Sequence, residues 1–156
     1  MTDPHCDIAY DNSTISYGSD NGTGPAKMKD KIKGTQGYII YKETYRSFDP
    51  ISFKPVKIKV YYDLFVDFFI NEINKTKYLG SKWKDGAKYP SIVFMSNKSS
   101  KYHTYKLSSV TCVTFAADWL YYCMYLPSKM KLKNNGKDMK NFTLPIQLYN
   151  YLKPLR

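Results

Sequence analysis

The run Val110–Leu126 (VTCVTFAADWLYYCMYL) is the most apolar segment of the chain, and any fold open to this sequence has to bury it. It is 17 residues long, the lower limit for a membrane span, and it carries Asp118, Thr111 and Thr114. A central aspartate costs on the order of 2.5–3.5 kcal/mol on insertion. The run therefore reads as a buried core helix, and no membrane partner is expected. Ser108 and Ser109 offer capping hydroxyls before it, and Pro127 is expected to stop it.

The residues before this helix suggest a hairpin. Ser91–Met95 (SIVFM) is a short apolar run, Ser96–Ser100 a turn cluster, and Lys101–Leu107 (KYHTYKL) an alternating run rich in strand formers. A similar order comes earlier. Gly37–Arg46 reads as a strand, Asp49-Pro50 as a turn, and Val56–Tyr61 (VKIKVY) as a half-buried strand with Val56, Ile58 and Val60 inward. Tyr62–Lys75 then switches to helical period. Tyr62, Phe65, Val66, Phe69 and Ile73 form one stripe; Asp63, Asp67, Asn71 and Asn74 form the other. Tyr78–Pro90 reads as a loop. Thr143 and Pro145 open a short C-terminal helix that ends before Pro154.

The expected fold is therefore α+β. An antiparallel sheet of about four strands, from two β-hairpins in approximate ββα-ββα order, packs against the long apolar helix Ser109–Leu126. Residues 35–156 form a single domain. Residues 1–34 are expected as a flexible arm, acidic and then basic. Met1–Gly24 holds Asp3, Asp7, Asp11 and Asp20 and no Lys or Arg, and KMKDKIK follows.

The formal net charge is +11, almost all of it from lysine, with two Arg among the 24 basic residues. A body this basic meets nucleic acid or an acidic protein surface. A compositional bias toward Lys, Tyr, Asn and Ile is the competing account of the charge. Cys6, Cys112 and Cys123 make an odd set without metal-type spacing, which reads as buried free thiols in a reducing compartment. No basic and apolar leader pattern opens the chain, so an intracellular location, cytoplasmic or nuclear, is expected. Five N-x-S/T sequons, at Asn12, Asn21, Asn74, Asn97 and Asn141, run against that reading.

Enzyme motifs are missing. The sequence has no phosphate-binding glycine loop, no Gly-x-Ser-x-Gly elbow and no His-Glu-x-x-His, and neither a cofactor nor a metal site is expected. Cys112 with His103 as its base is weak, because the apolar surroundings of Cys112 favour an inert thiol. Asp63 and Asp67, with Glu72, make a metal-dependent nuclease the third reading.

Lysine and aromatic residues interleave on the expected strands and loops, and this carries the first reading. Lys42, Lys57, Lys59, Lys82, Trp83, Lys84, Tyr102, His103, Tyr105 and Lys106 are the expected nucleic-acid-binding residues. Lysines neutralise phosphates, and aromatic rings stack on unpaired bases at about 1–3 kcal/mol each. The expected function is non-enzymatic binding of single-stranded DNA or RNA with little sequence preference, since Arg is scarce. The second reading is a small assembly or interaction protein, of viral structural or host-factor-binding type, whose tyrosines meet protein. Exposed strand edges and many tyrosines also suit a homodimer.

Overall fold

The computed structural model describes residues 5–43, 55–132 and 139–156. Five strands form one antiparallel sheet in the order β1-β2-β4-β6-β5: β1 Ile8–Tyr10, β2 Ser13–Gly18, β4 Tyr38–Lys42, β5 Thr76–Lys82 and β6 Ser91–Ser96. A second, two-stranded sheet joins β3 Thr35–Gln36 to β7 Thr104–Tyr105. The helices are α1 Met28–Lys33, α2 Tyr62–Ile73, α3 Cys112–Cys123, α4 Leu126–Met130 and α5 Pro145–Leu152. The class is α+β with a five-stranded antiparallel sheet, one strand more than the sequence suggested.

Two of the five strands, β1 and β2, come from the segment expected as a flexible arm, and β5 reaches into the stretch expected as a loop, Tyr78–Pro90. Residues 8–18 form a hairpin instead. Ile8 stands opposite Ile15 and Tyr10 opposite Ser13, so Asp11-Asn12 is the two-residue turn. Asp11 takes a left-handed φ of 54°, which Asp tolerates because its short side chain bonds locally. Ile15 and Tyr17 are few apolar residues among many polar ones. They still bury fully because β2 pairs along its length with β4, Ile15 against Tyr41 and Tyr17 against Ile39.

The face of the sheet bearing Ile15, Tyr17 and Ile39 packs on α2 and α3. Trp119 is the centre of that core. Its ring stacks on Phe65 at 4.5 Å and also lies against Phe68 and Phe69. The indole N–H donates to the Phe65 carbonyl at 3.0 Å, so the one polar atom of the largest core residue is satisfied. Residues 19–26 run across the opposite face. Gly22 is buried there with φ +98°, and a Cβ on it would sit 2.6 Å from Lys82 Cγ and 2.8 Å from Val93 Cγ2. Only glycine lets this strap lie so close.

Helix α2 follows its sequence pattern. Phe65 is buried, Val66, Phe69 and Ile73 are half-buried against the core, and Asp63, Asp67, Asn71 and Asn74 are exposed. Tyr62 departs from the stripe and is exposed. Helix α3 is shorter than expected. It starts one turn later, capped by Thr111, whose side chain accepts from the Val113 N–H while Thr114 accepts from the Thr111 N–H. It ends at Cys123. Pro127 then sits in the first turn of α4 and opens a second helix, where its missing N–H costs nothing.

Val56–Tyr61 is not a strand of the sheet. The alternation survives as burial, with Val56, Ile58 and Val60 half-buried and Lys57 and Lys59 exposed. The segment's backbone is met by residues just past α3: Tyr61 N–H donates to Cys123 O, and Tyr125 N–H donates to Lys59 O. Val60 and Met124 make a single bridge. The hairpin expected between Ser91–Met95 and Lys101–Leu107 is also absent. β6 pairs with β4 and β5, and β7 goes to β3. The ββα-ββα order therefore gives way to a sheet in which two hairpins, β1–β2 and β5–β6, are joined through β4, which pairs with β2 and β6. The turn at Asp49-Pro50 lies outside the described residues.

Candidate nucleic-acid interface

β5 is an edge strand. Gly80, at φ +88°, lies beside a register shift between Tyr78 and Gly80. A bulge and lysines on an edge discourage pairing with another sheet. The β5–β6 hairpin therefore presents side chains more than backbone. Trp83 is 63% exposed, Tyr78 61% and Tyr89 44%. Lys77, Lys84 and Lys88 are exposed around them, and the Lys88 ammonium stands 5.6 Å from the Tyr89 ring centre.

Strand register brings Lys42 to the same place. Lys82 pairs with Ser91, and Tyr41 pairs with Ile92. Lys42 and Lys82 thus lie on one face at one end of the sheet, two strand spacings or about 10 Å apart. Trp83 and Lys84 follow directly. Four expected residues, Lys42, Lys82, Trp83 and Lys84, gather here.

The strap reaches this end too. Asp20 forms a 2.7 Å ion pair with Lys84 and accepts from the Gly22 and Gly24 N–H groups. Burial alone would raise the Asp20 carboxyl; the hydrogen bond from Lys84, then that from Gly22, holds it below the usual carboxylate value. An acidic group from the N-terminal segment thus lies against a lysine of the β5–β6 hairpin.

The other expected residues are elsewhere. Tyr102 is 2% exposed and Tyr105 7%. Both rings pack with Tyr17, and Tyr102 also meets Phe115 edge-on. They are core residues with no face for a base to stack on. The alternation of Lys101–Leu107 located the inward positions, but the inward residues are the tyrosines themselves. The Tyr102 hydroxyl donates to Asp118 at 2.6 Å, and Lys101 pairs with the same carboxylate. Asp118 thus pins the segment to α3. His103 is half-buried beside Thr104. Lys57, Lys59 and Lys106 are exposed on other segments.

The carboxylates considered for a metal do not converge. Asp63 and Asp67 face solvent, while Glu72 is buried, accepts from the Ser100 hydroxyl at 3.2 Å and lies 3.8 Å from Lys75. Among the described residues, no group of three or more His, Cys, Asp or Glu is arranged to hold a metal ion. No described helix is long and apolar enough to cross a membrane. Tyr78 and Tyr89 are not among the expected residues, although Lys82, Trp83 and Lys84 of the same stretch are; the dense aromatics and lysines of Tyr78–Pro90 were the available signal.

No protein-family model, curated protein or solved structure matches the chain.

Proposed function

We propose that the protein binds single-stranded nucleic acid without enzymatic chemistry, through the β5–β6 hairpin and the adjoining end of β4. The observation that carries this reading is the exposure of Trp83, Tyr78 and Tyr89 on one hairpin that also carries Lys77, Lys82, Lys84 and Lys88. Rings offer stacking platforms that tolerate any base, and lysines neutralise phosphates without reading sequence.

Fluorescence anisotropy of labelled single-stranded DNA, RNA and duplex tests it at two salt concentrations. Binding at micromolar or tighter affinity, weakening about tenfold or more from 50 to 200 mM salt, is expected. Trp83→Ala is expected to weaken single-strand binding by about 1–3 kcal/mol without lowering the melting temperature. No binding to any strand at low salt would overturn the reading.

A second reading has its own observation. Tyr61 and Tyr125 stack at 4.5 Å, with exposed Tyr62, Tyr122, Leu126 and Met130 on neighbouring positions of α2, α3 and α4. Such a surface suits a protein partner. A stable complex or self-association that survives high salt would favour it.

A further inference from the structure

The strap of residues 19–26 is shaped by bonds of its own. Asp20 Oδ1 accepts from the Gly22 N–H at 2.7 Å and from the Gly24 N–H at 3.0 Å. Asn21 Oδ1 accepts from the Thr23 N–H and hydroxyl, and Ser19 Oγ accepts from the Ala26 N–H at 3.2 Å. These bonds order the strap without tying it to the sheet. Its hold on the sheet is of another kind. Asp20 Oδ2 takes the Lys84 ammonium at 2.7 Å, and the buried Gly22 lies against the stem of Lys82 and Val93 Cγ2. Two of the lysines at this end of the sheet are thus engaged by one strap, Lys84 by charge and Lys82 by contact.

Resting on the nucleic-acid reading above, we propose that the strap is a built-in competitor for that site. Asp20 occupies the place beside Lys84 that a phosphate takes, and a bound single strand displaces the strap. A carboxylate and a phosphate offer an ammonium the same kind of anionic oxygen. They cannot share Lys84 without repelling each other. The Asp20–Lys84 pair is partly exposed, so solvent and salt screen it and opening it costs little. A strand that brings several phosphates to this end of the sheet outweighs one carboxylate.

Lifting the strap frees both lysines together. Lys84 loses its counter-charge, and the stem of Lys82 loses the backbone packed on it at Gly22. Trp83, between them in the chain, is exposed while the strap is closed. The strap therefore acts on the phosphate contacts and leaves the stacking ring open. Stacking tolerates a closed strap; neutralising phosphates at Lys84 does not.

The test joins a double-mutant cycle to amide exchange in the full chain, with labelled single-stranded DNA at 50 mM salt. Asp20→Asn keeps an acceptor oxygen for the Gly22 and Gly24 N–H groups and removes the charge. It is expected to tighten binding about two- to fivefold in the native chain and not at all in a Lys84→Ala background. Saturating DNA is expected to speed hydrogen exchange at the Gly22 amide severalfold in the native chain, a measurement that needs no variant. If the native chain binds DNA, equal affinity in Asp20→Asn, or exchange at Gly22 that is unchanged or slower on binding, would overturn the strap's role and leave the nucleic-acid reading standing. No binding by either chain would overturn both.

Discussion

Single residues carry much of the specificity of this fold. Gly37 sits where β3 passes into β4, and a Cβ there would collide with the Tyr102 carbonyl and the Tyr17 hydroxyl. Those two groups are themselves bonded at 2.7 Å, so neither can retreat freely. Gly37→Ala is therefore expected to cost about 3 kcal/mol or more, measured as a lower urea midpoint. Tyr102 and Tyr105 make the complementary point. Their residue type suits a surface or a core equally, and their burial is set by Tyr17 from the opposite end of the chain. His5 adds a pH dependence. Its folded value of about 10 lies above the unfolded value near 6.5, so its contribution is complete below about pH 6.5 and lost as pH rises through 10. Half of the side chain is exposed, which limits the effect to under about 1 kcal/mol. Urea midpoints from pH 6.5 to 10 should show this decline in the native chain and not in His5→Gln.

At the scale of elements, α2, α3 and α5 were legible; α1, which lies in the segment expected as a flexible arm, α4 and most of the sheet were not. The i, i+3, i+4 stripe of α2 is a property of twelve adjacent residues. α3 was visible as an apolar run, yet its start depended on a competition among Ser108, Ser109 and Thr111. Thr111 prevails because its side chain serves the helix and the Thr143 carbonyl together. Thr111→Ala is expected to destabilise the protein by about 1–2 kcal/mol, seen in chemical denaturation. The strand pattern of Val56–Val60 shows the limit of periodicity. Alternate burial requires only an extended chain over a core, and here the backbone partners are Cys123 and Tyr125. The β5–β6 hairpin shows the same limit in reverse. Thr76–Lys82 contains Gly80 and two lysines and resembles a loop, but pairing with the apolar β6 makes it a strand.

For the whole molecule, the charge distribution decides what the basic body can meet. Asp20 occupies Lys84 at the end of the sheet where Lys42, Lys82 and Trp83 gather. If phosphates bind there, the strap competes with them. Asp20→Asn is expected to tighten single-strand binding by about 0.5–1 kcal/mol at low salt, with the gain fading at high salt. Unchanged affinity in an anisotropy titration would place the phosphates away from Lys84. Because the Asp20 carboxyl is held below its unfolded value, the pairing persists at neutral pH and is lost as pH falls through the acidic range.

The sequence by itself determined the α+β class, the two main helices, β4, β6 and the basic character of the chain. These follow from local periodicity and composition, which neighbouring residues carry without help. Only the tertiary structure decided that residues 8–18 complete the sheet and that Tyr102 and Tyr105 belong to the core. Each depends on a contact between distant segments: β2 on β4, and Tyr17 on Tyr102. The free energy of such contacts comes from burial and hydrogen bonds that form only after the chain has closed its long loops, and no window of adjacent residues records them.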